Sequence, residues 1–262
     1  KLGEYLKSLG NEVEYFGMAD ERNCVENRVE AYTENIDFHK KSLKHITYPF
    51  KIIYSVNARK QIRKVLSDFK PDVVHLNNFN YQLTPSIIYE IKKHNIPIVY
   101  TAHDVQLVCP NHKLKNDYTD GLCRKCDGGK YFECVKNNCV HSSKIRSILG
   151  AVEAWYYKLR HTYKMIDLTV CPSEFMEKEI SRNDDINGRT LTMYNFIDEI
   201  KPLGAECENY VLYFGRYSEE KGISNLVKAA KKLSNIPFVF AGKGELENEV
   251  NSADNIKNVG FK

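Results

Sequence analysis

Two hydrophobic periods alternate along the chain. Short apolar runs rich in β-branched and aromatic residues occupy positions 13–16, 71–76, 98–101, 166–170, 189–194, 210–214 and 237–241, most of them bounded by Gly, Pro, Asn or Asp. Their length and composition predict strands, buried where the run is continuous. Between them apolar residues recur three and four apart: Leu2, Tyr5, Leu6 and Leu9; Ile53, Val56, Ile62, Val65, Leu66 and Phe69; Ile223, Leu226, Val227, Ala230 and Leu233. That spacing predicts amphipathic helices, with further helices over 81–94 and 144–164. Strand and helix in turn predict an α/β fold with parallel sheets and right-handed crossovers. Ligands then belong at the carboxyl ends of the strands.

The segment 210–249 repeats the plan strand, tight turn, helix, and puts chemistry at both turns. Arg216 and Lys221 flank the first turn, which opens a helix, so two permanent cations and a set of backbone N–H groups are predicted to face one spot. A diphosphate fits that description. Gly242 and Gly244 remove side chains from the second turn, which would let a ligand approach the backbone. Taken alone, the two cations read more simply as solvated surface charges and the glycines as turn formers.

The whole string is more specific. Val-Leu-Tyr-Phe-Gly-Arg216-Tyr-Ser-Glu-Glu-Lys221-Gly222, followed by Phe-Ala-Gly242-Lys-Gly244-Glu245, resembles the donor-binding domain of family 4 glycosyltransferases, a retaining group with the GT-B fold. The resemblance implies two Rossmann-like domains facing a cleft, with Arg216 and Lys221 holding the diphosphate of a nucleotide-sugar. It also gives a role to Thr-Ala-His103-Asp104 after the run 98–101: in the family a His here faces the donor sugar across the cleft. An imidazole can exchange hydrogen bonds with a hydroxyl or a phosphate oxygen without the cost of burying a fixed charge. Ser173, an N-cap candidate, and Asn195 match donor-side positions. Here the family usually has Asn-Gly, so Phe196 is a departure. His75, Asn77 and Asn78, at the end of the run 71–76, are candidates for acceptor contacts together with Asp104, although turn chemistry explains the asparagines as well.

This reading divides the chain into an acceptor-side domain (1–197) lacking its first strand, a polar linker (198–209) and an incomplete nucleotide-sugar-binding domain (210–262). Both ends look truncated. The two glutamates about eight residues apart that contact donor sugar and ribose in relatives do not occur before Lys262. The 262-residue chain is therefore expected to be inactive alone, and measurable sugar transfer by it would contradict this.

Charge and composition narrow the picture only slightly. The net charge of +4 permits an anionic ligand or a loose hold on an acidic membrane surface, and no Lys/Arg run interleaved with aromatics points to nucleic acid. No run of about eighteen apolar residues occurs. A basic stretch, 39–45, lies in a polar region read as a solvated excursion. Arg146, Lys158, Arg160 and Lys164 give the helix over 144–164 a basic outer face, compatible with peripheral contact at the inner face of a membrane. Expected localisation is cytoplasmic.

Cysteine usage changes the picture more. Five of the eight cysteines fall between Cys109 and Cys139, in an insertion over 109–140. Cys123, Cys126, Cys134 and Cys139 have the look of a structural Zn²⁺ site, since Cys-x2-Cys is a tetrahedral half-site and reduced thiols favour metal over disulfides. An iron–sulfur cluster, disulfides and plain thiols remain alternatives. No catalytic metal is expected, as no Asp-x-Asp motif ends a strand. The predicted function is transfer of a sugar from a nucleotide-diphosphate sugar to a glycan or lipid-linked acceptor with retention, in surface polysaccharide synthesis. The alternatives are a nucleotide-sugar epimerase or hydrolase on the same fold, or a non-catalytic nucleotide-sugar binder.

Overall fold

The structure is a computed structural model that describes residues 1–35, 48–80, 82–116, 121–186, 188–197 and 208–262. The chain forms two compact units, Lys1–Phe196 and Ile197–Lys262. The basic stretch 39–45 and most of the predicted linker, including Asp198, lie outside the described residues.

Unit 1 runs α1 (Leu2–Ser8), α2 (Tyr48–Ile53), α3 (Val56–Phe69), β1 (Val74–Leu76), α4 (Ser86–Lys93), β2 (Ile98–Thr101), α5 (Phe132–Lys136), α6 (Lys144–Leu159), β3 (Leu168–Cys171), α7 (Glu174–Ile180) and β4 (Thr190–Thr192). Its sheet has the order β1-β2-β3-β4, parallel throughout, with Val74 opposite Ile98, Val99 opposite Leu168 and Thr169 opposite Thr190. Unit 2 runs β5 (Val211–Phe214), α8 (Ile223–Lys232), β6 (Phe238–Ala241), α9 (Glu247–Val250) and β7 (Ile256–Gly260), with a parallel sheet β5-β6-β7. The α/β class expected from the two periods is the class observed.

Local sequence explains the boundaries. The helix expected from about residue 52 to Phe69 is broken at Ser55, whose Oγ caps α3 by accepting from the Ala58 N–H. Lys70 closes α3 in the left-handed conformation ahead of Pro71. Helix α6 stops at Arg160, where His161 turns left-handed, five residues short of the pattern. Ile87, Ile88 and Ile91 on α4 pack against Ile98 and Tyr100 of β2 in the core of unit 1. Glu90, also on α4 and buried, stitches that helix to α3 by ion pairs to Arg59 (2.8 Å) and Arg63 (2.6 Å).

Two expectations fail, each for a physical reason. Residues 13–16 form no strand; the nearest pairing is an isolated bridge between Met18 and Thr33. Extended backbone becomes a strand only where a neighbour takes up its N–H and C=O groups. The run 211–214 forms β5 but is not buried: Leu212 is 55 % exposed and Phe214 79 %. It is an edge strand, and composition reports suitability for burial without reporting what covers it. In α6 the apolar positions Ile145, Ile148, Val152 and Leu159 are exposed, while Ser147, Ala151 and Tyr157 face the core.

Candidate functional site

In unit 2 the site is built by one buried aromatic. Tyr217 is fully buried between Tyr213 and Phe240, and its hydroxyl donates to Asn258 Oδ1 at 2.9 Å. Its backbone N–H donates to Lys243 O at 2.9 Å and its carbonyl accepts from Leu246 N at 3.1 Å. The loop after β5 is thereby clamped to the loop after β6. Glycine makes the approach possible. A Cβ at Gly244 would lie 2.2 Å from Tyr217 O, and one at Gly242 only 1.9 Å from Gly215 O. The room freed at both glycines is filled by the chain's own backbone, so their first effect is to lock two loops together.

Next to this anchor stand the two cations. Arg216 is exposed and pairs with Glu220 at 3.3 Å, a contact of the kind that adds little stability in water. Lys221 is exposed on the single 3-10 turn Glu219–Lys221, ahead of the left-handed Gly222 that opens α8, and has no side-chain bond among the described residues. The expectation of free backbone donors holds for only part of the turn. The N–H groups of Gly215, Tyr217, Ser218, Lys221, Gly222 and Gly242 are all bonded within the chain. The N–H groups of Ile223, Ser224 and Asn225, which start α8, have no backbone acceptor among the described residues, so this edge offers an anion those donors beside the side-chain charge.

In unit 1 the predicted residues meet at the carboxyl ends of β1 and β2. His75 Nε2 bonds Thr101 Oγ1 at 2.8 Å, and His103 Nε2 donates to Asn77 Oδ1 at 3.0 Å. Asp104 Oδ1 accepts from the Gln106 N–H at 2.9 Å, and Oδ2 lies 3.2 Å from His112 Nδ1 and 3.4 Å from Asn80 Nδ2. Burial would raise the Asp104 carboxyl, but the hydrogen bond and charge of His112, helped by the Gln106 N–H, hold it below the usual carboxylate value. Burial, with the charge of His103 added, pushes His75 down. Asn78 is exposed with no side-chain bond among the described residues. At the same edge of the sheet Ser173 caps α7, its Oγ accepting from Met176 N at 3.2 Å, and Asn195 follows β4, exposed.

Reasoning from sequence missed three participants. Tyr217 reads as one more aromatic in an aromatic string, and only the glycines after the next strand hint that something must approach them. His112 lies inside the Cys-rich insertion, three residues after Cys109, with no motif to mark it. Glu153 sits on α6; burial pushes its carboxyl up to about 7, against the pull of His112.

In the insertion Arg124 pairs with the buried Glu179 of α7, with Nε to Oε2 at 3.0 Å, and Arg182 pairs with Asp127. The described cysteines are all free thiols. Among the described residues, no three His, Cys, Asp or Glu side chains form a ready-made metal shell. No helix among the described residues is long and apolar enough to cross a membrane.

The profile of Glycosyltransferase Family 4 matches residues 1–200, and that of Glycosyl transferases group 1 matches residues 196–262. A Klebsiella pneumoniae protein described as "Uncharacterized 42.6 kDa protein in cps region" is 25 % identical over 194 residues, covering 73 % of this chain and 45 % of that protein. Among solved structures, Anabaena Alr3699/HepE in complex with UDP and glucose is similar at 15 % identity and a TM-score of 0.49, over 88 % of this chain and 55 % of that one. S. aureus TarM is similar at 15 % identity and a TM-score of 0.47, over 80 % of this chain and 37 % of that one. The chain thus spans about half the length, or less, of the relatives it matches. With both profiles matched in sequence order and together spanning every residue, the chain belongs to glycosyltransferase family 4.

Proposed function

We propose that the protein transfers a sugar from a nucleotide-diphosphate sugar to a glycan or lipid-linked acceptor, with retention of anomeric configuration, in the making of a surface polysaccharide. The observation that carries this reading is the pair Arg216 and Lys221, held out on a loop that Tyr217 and Gly244 clamp at the carboxyl end of a parallel strand. As the sugar leaves its donor, negative charge builds on the departing diphosphate. Cations already in position stabilise that charge more than they stabilise the ground state. Arg216 grips by a two-pronged guanidinium and Lys221 as a point charge. No divalent cation is needed for that step.

Unit 1 contributes the sugar and acceptor side of the proposal. His103, kept in one orientation by Asn77, meets a sugar hydroxyl or the β-phosphate; Ser173 and Asn195 add donor contacts. His75, Asn77, Asn78 and Asp104 serve the acceptor. The exposed apolar positions of α6, flanked by Lys144, Arg146, Lys158 and Arg160, favour a peripheral hold on an acidic membrane surface carrying a lipid-linked acceptor. The setting that follows is the cytoplasmic face.

The test is donor turnover by the whole protein, with and without Arg216→Ala/Lys221→Ala, and the anomeric configuration of the product read by NMR. Acceptor-dependent turnover, a retained anomer and loss of activity in the double variant support the proposal. Donor consumption without an acceptor would replace it with epimerisation or hydrolysis.

A further inference from the structure

Cys109, Cys123, Cys126, Cys134 and Cys139 all line one small cavity of about 10 Å³. That is roughly the space needed by a single water-sized body. Five thiols around a one-atom space is an unusual use of cysteine, and their arrangement is not symmetrical. Cys109, Cys123, Cys126 and Cys139 each lie within charge–charge range of the other three. Cys134 likewise reaches Cys109, Cys126 and Cys139, so proximity leaves Cys123 and Cys134 as rivals for one place.

The hydrogen-bond setting decides between them: N–H donors face Cys109, Cys123 and Cys126, and Cys139 accepts from the Cys134 thiol. The backbone N–H groups of Asn111, Leu114 and Lys113 favour an ionised sulfur at Cys109. Asn116 Nδ2 lies 3.3 Å from Cys123 Sγ as a donor. The backbone N–H of Cys134 favours an ionised sulfur at Cys126. Cys134 itself is buried in α5, and its thiol bonds that of Cys139. N–H donors aimed at sulfur are what a thiolate ligand needs to spread its charge.

We propose that Cys109, Cys123, Cys126 and Cys139 bind one structural Zn²⁺ as four thiolates, with Cys134 supporting the shell from α5. This replaces Cys134 by Cys109 in the set expected from spacing alone. The thiols stand around the cavity without yet converging to a common bonding distance, so binding draws them inward. Each ligand sulfur gives up its proton to water as its S–Zn bond forms, and no electron changes hands. The Cys109 thiol now donates to Asn111 Oδ1 at 2.9 Å; on ionisation that bond is lost and the backbone donors replace it.

A metal here also answers a structural need. The described part of 110–142 has only the turn Asp127–Gly129 and the five-residue α5 as regular structure. Five of the ten non-glycine residues with left-handed backbone among the described residues, His112, Leu114, Asn138, His141 and Ser142, fall in it. Such backbone costs free energy that other contacts must offset. Four metal bonds would tie the segment together, and with it His112, which rests on Asp104.

Elemental analysis of the freshly reduced chain is expected to give about one zinc per chain. A mercurial titration followed with a chromogenic chelator is expected to release that zinc as four thiols react. Cys134→Ser is expected to retain zinc, and Cys109→Ser to lose at least about 90 % of it. Cobalt substituted for zinc should give the absorption of a tetrahedral thiolate site. Should Cys109→Ser unfold the insertion, the wild-type titration and the cobalt spectrum stand on their own. Metal-free reduced protein, the colour of an iron–sulfur cluster, an intact mass showing disulfides, or zinc kept by Cys109→Ser and lost by Cys134→Ser would each overturn the assignment.

Discussion

The two units solve the same problem, holding polar groups at the carboxyl edge of a parallel sheet, by different physical means. Unit 1 uses charge. Its edge is a mesh of imidazoles, amides and a carboxylate, and behind it Glu90 and Glu179 are buried against arginines. Unit 2 uses shape: residues 208–262 contain no His or Cys, its described ion pair Arg216–Glu220 is exposed, and its loops are fixed by glycine and by the buried Tyr217. A site that must hold cations ready for an anion is well served by a support fixed by packing, with Arg216 in only a weak, exposed pair with Glu220. A site that must exchange hydrogen bonds with hydroxyls is served by groups already in exchange with one another.

The contrast breaks most sharply at Gly244. In Gly244→Ala the new methyl group meets Tyr217 O, C and N at 2.2, 2.7 and 2.8 Å, all of them backbone that cannot swing aside. The expected loss is about 3 kcal/mol in urea unfolding, with the two loops parted. A loss below about 1 kcal/mol would show that the interlock is slack.

Charge in unit 1 is probed by Glu90→Gln, which leaves Arg59 half-buried beside a neutral partner. A loss of about 2 kcal/mol at neutral pH is expected. The sign with pH follows from the direction of the shift. Hydrogen bonds from Arg63, opposed by burial and joined by Arg59, hold Glu90 at about 2 against an ordinary 4.5. Its contribution is complete above about pH 4.5 and fades as the pH falls toward 2. The gap between wild type and variant should therefore close on acidification, while Gly244→Ala keeps its full deficit. A gap that widens in acid would refute the buried ion triad.

The smallest effect belongs to Tyr217→Phe, about 1 kcal/mol, because the ring keeps its packing and Asn258 Oδ1 still accepts from Gly260 N.

How much of this the sequence disclosed depends on whether one segment or several decide the feature. Helices α3 and α8 and strands β1, β2, β5 and β6 follow from local period and punctuation, which their own residues carry. The meeting of His103 with Asn77, and of Asp104 with Asn80, follows once two parallel strands are known to end at one edge. The exposure of Phe214 and of the α6 apolar positions was not legible, because burial belongs to whatever packs on top. The N–H groups of Gly215 and Tyr217, on either side of Arg216, looked free from sequence and are bonded in the fold, since Ala241 and Lys243 offer carbonyls from a second loop. Tyr217 and His112 matter through partners distant along the chain, so no pattern near them could announce their part.

The central claim is that unit 2 presents Arg216 and Lys221 to a diphosphate, and calorimetric titration of the whole protein with UDP and GDP tests it most directly. Two charge-assisted contacts predict that Arg216→Ala/Lys221→Ala weakens the better-bound of the two by roughly 100-fold or more, with the fold unchanged. Equal affinity in wild type and double variant would contradict the account.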